Sequence, residues 1–83
     1  MDVNGRVARQ LLAFAERYGR EKGQGEVEIP ISLTQGDIAD LVGASRKRVN
    51  QAMTLFRQQG LIALYEKGRI MIIERAGLAN YCD

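Results

Sequence analysis

Thr34-Gln35-Gly36-Asp37-Ile38-Ala39-Asp40-Leu41-Val42-Gly43-Ala44-Ser45-Arg46-Lys47-Arg48-Val49-Asn50-Gln51-Ala52-Met53 is the stretch whose pattern decides the fold. Thr34 followed three residues later by Asp37 is close to a capping box, in which each residue satisfies an unpaired N–H of the other. Ile38, Ala39, Leu41 and Val42 then recur at helical spacing, and Gly43 supplies a stop. Ser45 can cap a second helix, expected over about 45–59 and ended by Gly60. Within it Val49, Ala52, Met53 and Phe56 fall at i, i+3, i+4 and i+7, a single apolar stripe.

Two capped helices joined by a turn as tight as Gly43-Ala44-Ser45 describe a helix-turn-helix. The geometry demands a small residue where the helices approach, and Ala39 stands there. It demands a residue tolerant of left-handed backbone at the start of the turn, and Gly43 stands there. Ile38, Val42, Val49 and Ala52 are placed to seal the angle between the helices.

Outward from this centre the other elements are coarser. Val7, Ala8, Leu11, Leu12, Phe14, Ala15 and Tyr18 form one stripe of a helix over about 3–18, with Asp2 or Asn4 as candidate caps. Gly19, Gly23 and Gly25 dissolve the pattern into a polar loop. Val27 to Ile31 alternates, but Pro30 lacks an N–H, so the expectation is at most a short edge strand. Leu61–Tyr65 and Arg69–Ile73 are β-prone runs joined by Glu66-Lys67-Gly68, a hairpin signal that turns the motif into a winged helix-turn-helix. The last ten residues, anchored by Leu78, are expected to form one weak helical turn or to fray. The fold class is therefore mainly α with a small β-hairpin wing (α+β), one domain over 1–83.

Composition bounds the chemistry. The chain has 83 residues, 46% of them apolar and 27% charged, a globular balance. No apolar run approaches the roughly 18 residues needed to span a bilayer, and no signal-peptide pattern opens the chain, so a cytoplasmic protein without membrane contact is expected. One cysteine, Cys82, and no histidine leave no intrachain disulfide, no Cys/His zinc site and no histidine acid–base catalysis. The serines are Ser32 and Ser45, neither with a visible base, and Asp37 and Asp40 read as a capping partner and a surface acid. An enzyme is not expected.

Charge points elsewhere. Residues 1–43 carry five Lys/Arg against seven Asp/Glu, a balance of −2; residues 44–83 carry seven against three, a balance of +4. Arg46, Lys47, Arg48 and Arg57 lie between Ala44 and Gly60 with no acid among them, which suits a polyanion. With the apolar stripe turned inward, the second helix displays Arg46, Lys47, Asn50, Gln51, Thr54 and Arg57. Arg and Lys donate to guanine O6 and N7, and Asn or Gln can pair with adenine. Arg46, Lys47, Asn50 and Gln51 are the expected base readers. Lys67 and Arg69 flank the wing tip, suited either to the sugar-phosphate backbone or simply to keeping a turn soluble. Double-stranded DNA is the expected partner; a winged helix used as a protein-interaction module is the alternative, and the acid-free stretch argues against it.

The chain resembles the C-terminal DNA-binding domain of the cyclic-AMP receptor protein/fumarate-nitrate regulator family of bacterial transcription regulators. Asp2 to Ala8 with Leu11-Leu12, Leu33-Thr34, Asp37-Ile38-Ala39, Val42-Gly43-Ala44-Ser45-Arg46 with Val49, and Gly60-Leu61-Ile62 carry the resemblance. It implies that Arg46 reads guanine and that Thr34, Ser45 and Arg48 touch phosphates. Lys47 stands where the family frequently has Glu, and Gln51 where it often has Arg, so a half-site other than the best-known one is implied. Gly36 replaces a polar phosphate contact of several members. The resemblance further implies an effector-binding domain and dimerisation helix that this chain lacks, hence an excised fragment or a stand-alone version. No cofactor is expected in this chain, a cyclic nucleotide or other effector belonging to the missing N-terminal domain. A homodimeric parent, this chain itself monomeric, and RNA polymerase as a further partner are also implied.

Overall fold

The computed structural model describes residues 2–82. Helix α1 spans Val3–Tyr18, and Asp2 caps it, its Oδ1 accepting from the Gly5 N–H at 2.8 Å. Strands β1 (Arg20–Glu21) and β2 (Val27–Ile29) follow, then helices α2 (Gln35–Val42) and α3 (Arg46–Gln58). Strands β3 (Ile62–Tyr65) and β4 (Arg69–Ile72) make the wing, joined by a 3₁₀ turn over Glu66–Gly68; helix α4 (Arg75–Ala79) and a second 3₁₀ turn over Asn80–Cys82 close the described chain. This is a winged helix-turn-helix of the α+β class.

The strands form one antiparallel sheet in the order β1-β2-β4-β3. Its register aligns Val27, Ile72 and Ile62 in one row and Ile29, Ile70 and Leu64 in the next. Successive side chains of a strand point to opposite faces, so these rows share the face turned to the helices. Val27, Ile29, Ile62, Ile70 and Ile72 are buried, together with Val7, Ala8, Leu11 and Ala15 of α1 and the inner residues of α2 and α3, in one core cluster.

Three expectations need correction, while the C-terminal segment forms the short helix expected around Leu78. Val27–Ile29 is an inner strand, not an edge one: it pairs with β4 on one side and β1 on the other, and Pro30 falls just beyond it, where the missing N–H breaks no ladder bond. The polar loop after Gly19 contains β1, closed onto β2 by a turn in which Gly23, Gln24 and Gly25 all have positive φ. Tyr18 and Leu41, spaced as core residues, are 47% and 56% exposed, because each lies at the margin of its apolar stripe near a helix end. The C-terminal segment packs as well as coils: Leu78 is fully buried, and the Tyr81 ring meets Phe56 edge-on with centroids 5.1 Å apart while its hydroxyl donates to Gln59 Oε1 at 2.6 Å.

Candidate nucleic-acid interface

The helix-turn-helix is set by local hydrogen bonds. Thr34 Oγ1 accepts from the Asp37 N–H and Asp37 Oδ2 accepts from the Thr34 N–H, both at 3.0 Å, a complete capping box. At the other end of α2, Gly43 adopts φ 71°, ψ 38°, and the N–H groups of Gly43 and Ala44 both donate to the Ala39 carbonyl. That left-handed turn redirects the chain at a position where a β-carbon would be strained. Ser45 Oγ then accepts from the Arg48 N–H at 3.2 Å and starts α3.

Core packing fixes which way α3 faces. Val49, Ala52 and Phe56 are fully buried and Met53 nearly so, while Ile38, Ala39 and Val42 bury the matching side of α2. With ~3.6 residues per turn, the remaining positions must face outward. Arg46, Lys47, Asn50, Gln51 and Arg57 are exposed, Arg48 is exposed on the flank, and Thr54 is half-buried. The cations on this surface have no acid beside them in the helix. Among the described residues the ion pairs are Lys22–Glu28 at 3.4 Å and Arg75–Glu21 at 2.8 Å, and neither involves α3 or the wing. Among the described residues the basic charge of this face is therefore left without an acidic partner.

Besides sharing the core with α2 and α3, the wing is tied by its turn to the segment that enters the helix-turn-helix. The Leu33 N–H donates to the Gly68 carbonyl at 3.2 Å, beside the Thr34 cap. Gly68 sits at φ +73°, and a β-carbon there would come within 2.7 Å of the Leu33 carbonyl oxygen, so glycine is what permits the approach. Lys67, also at positive φ (63°), stands exposed at the tip and Arg69 is exposed on the far side of Gly68. Thr34, Lys67 and Arg69 are thus brought to one edge of the molecule. Ser45 and Arg48 lie instead at the start of α3, so the nine residues singled out from sequence comprise a helix face, its first turn and a wing edge.

Two contacts were not readable from the sequence. Asn50 Nδ2 donates to Gln35 Oε1 at 2.9 Å, joining the first turn of α2 to the second turn of α3. Gly36 lies against the Arg46 side chain: a β-carbon there would be 3.5 Å from Arg46 Nε and 3.8 Å from Cζ. The only sequence signal for either is that Gln35 and Gly36 directly follow the Thr34 cap, the turn of α2 that approaches α3. Gln35 completes a chain of contacts from the wing turn through Leu33 and Thr34 to Asn50.

These features define a class: a small winged helix-turn-helix domain with a basic, unpaired face on its second helix. The model of the Crp-like helix-turn-helix domain matches residues 5–81, and the chain belongs to that family. It is 46% identical over 79 residues to the CRP-like cAMP-activated global transcriptional regulator of Mycobacterium tuberculosis, covering 95% of this chain and 34% of that protein. It is 30% identical to the nitrogen fixation regulation protein FixK of Azorhizobium caulinodans, covering 88% and 29%. The chain spans about a third of the length of these curated relatives. Among solved structures, the CO-dependent transcription factor CooA of Carboxydothermus hydrogenoformans superposes with a TM-score of 0.90 over 99% of this chain and 37% of that one. At 21% identity, what that pair shares is the fold. Membership of the family implies DNA binding, and the Mycobacterium tuberculosis relative is a transcriptional regulator.

Proposed function

We propose that this chain binds double-stranded DNA sequence-specifically by laying α3 in the major groove, as the DNA-binding domain of a transcription regulator. One observation carries the reading: the outer face of α3 holds Arg46, Lys47, Asn50 and Gln51, all exposed, with neither Arg46 nor Lys47 ion-paired among the described residues, while its inner face is buried. Residues in the first turns of a recognition helix are the ones that reach base edges. Arg46 is the guanine reader, donating to O6 and N7; Lys47 donates to guanine or thymine acceptors; Asn50 and Gln51 offer amides suited to adenine. Thr34, Ser45, Arg48, Lys67 and Arg69 meet phosphates and set the register without naming a base. Thr34 and Ser45 do this while serving as helix caps.

Lys47 can only donate, so a cytosine amine at the base it faces is disfavoured. The half-site is accordingly read through donors at two adjacent positions and amides at the next turn. In a longer protein bearing this domain, a second copy would place its α3 about 34 Å away on a pseudo-palindrome. Effector binding, of a cyclic nucleotide or another small molecule, would lie in other parts of that protein, and RNA polymerase would be a further partner. A DNA partner implies a cytoplasmic setting; among the described residues no helix is long and apolar enough to cross a membrane.

Selection from randomised duplex DNA, with the chain fused to an artificial dimeriser, tests the reading. A recovered half-site with fixed positions supports it. Recovery of unenriched sequence, with binding that tracks salt alone, would leave only a non-specific polyanion binder.

A further inference from the structure

Among the described residues, Asn50 is the one expected base reader whose side chain is already hydrogen-bonded within the protein. Its Nδ2 donates to Gln35 Oε1 at 2.9 Å, and both residues stand at the surface rather than in the core. A free asparagine amide can turn its oxygen or its nitrogen toward a partner, because the terminal torsion is broad and roughly two-fold. Here the nitrogen is engaged, and Oδ1 has no hydrogen-bond partner among the described residues. We propose that Gln35 is a specificity-determining residue: by accepting from Asn50 Nδ2 it orients that amide so that Oδ1 faces the base, and Asn50 selects a base carrying an exocyclic amine.

The chemistry of the groove makes this selective. Adenine N6 and cytosine N4 are the amine donors in the major groove; guanine presents two acceptors, and thymine an acceptor and a methyl group. An amide held oxygen-outward gains a bond from the first pair and meets an acceptor in the second. Of the two amines adenine is preferred, since its N7 can accept the second Nδ2 proton. The same turn of α2 lies against the other principal reader, with Gly36 next to the Arg46 guanidinium. Gln35 itself touches no base. It is a positioning residue acting through Asn50, and its role rests on the DNA reading proposed above.

The test uses the 83-residue chain and a panel of duplexes in which each base pair of the selected half-site is varied in turn. Asn50→Ala should flatten preference at one position, from about tenfold to none. Gln35→Glu, which can only accept, should keep the amine-bearing base at that position, and an added acid in the first turn suits the helix dipole. Gln35→Lys, which can only donate, should turn the Asn50 amide over and favour guanine or thymine at the same position while leaving the Arg46 position unchanged. An independent readout is the Asn50 side-chain amide signal in a nitrogen-15 spectrum without DNA: one proton slow to exchange in the unsubstituted chain and in Gln35→Glu, fast in Gln35→Ala. An unchanged base preference in Gln35→Lys, or an Asn50 amide indifferent to Gln35→Ala, would overturn the assignment of Gln35 while leaving DNA reading intact. If the unsubstituted chain prefers no base at any position, the DNA reading falls and this assignment with it.

Discussion

The recognition helix and the wing are both basic, yet the molecule holds their charges in different ways. Arg46, Lys47, Asn50 and Gln51 ride on a helix seated by four buried residues, and two of them are touched by the first turn of α2. Lys67 and Arg69 ride on a hairpin turn beside Glu66, beyond the last core row of the β2–β4 and β3–β4 ladders, with the Leu33–Gly68 bond nearby. Reading a base edge needs donors and acceptors at fixed positions, whereas attraction to a phosphate needs little more than charge nearby. On the proposed reading, the contrast assigns selectivity to α3 and general affinity to the wing.

The strongest way to break this contrast is to unseat α3. Phe56 is fully buried and in edge contact with Tyr81, so Phe56→Ala should cost about 3–5 kcal/mol of folding stability. Denaturant unfolding followed by circular dichroism measures it, and a loss below about 1 kcal/mol would mean that α3 is anchored otherwise. Next comes the wing junction. Gly68→Ala meets both a positive φ and the Leu33 backbone, and should cost roughly 1–3 kcal/mol. Its weaker DNA binding should be uniform across sequences, with base preference intact in a competition assay.

Substitutions that leave the fold alone sharpen the contrast further. Arg46→Ala should lower affinity for the selected site by roughly 1–3 kcal/mol and relax preference at one base pair. Unchanged affinity and preference would remove Arg46 from the readers. Lys67→Ala should have the smallest effect, weakening all duplexes alike and reducing the slope of log affinity against log salt by about one. A change in base preference there would show that the wing reads sequence as well.

What could be read in advance follows from how local each feature is. The ends of α2 and α3 are written in adjacent residues: Thr34 with Asp37, Gly43 at its left-handed turn, Ser45 with Arg48. The outward face of α3 was legible because helical periodicity converts the buried Val49, Ala52, Met53 and Phe56 into an exposed remainder. Strand placement was not. Arg20-Glu21 has no strand pattern of its own and is ordered by pairing with Val27 and Glu28, which also makes β2 an inner strand. Tyr81 finds Phe56 only because α4 folds back, a contact between residues 25 apart in sequence that no local spacing encodes. The Gln35–Asn50 bond was hidden for the same reason: each residue is ordinary on its own helix, and only the crossing of the helices makes them partners.

The central claim, that the outer surface of α3 is what meets DNA, is tested most directly by following backbone amide signals as a duplex carrying the selected half-site is added. The largest shifts should fall at Arg46, Lys47, Asn50 and Gln51, with smaller ones at Thr34, Lys67 and Arg69. Shifts concentrated on α1 and around the exposed Leu41, with α3 unmoved, would contradict it.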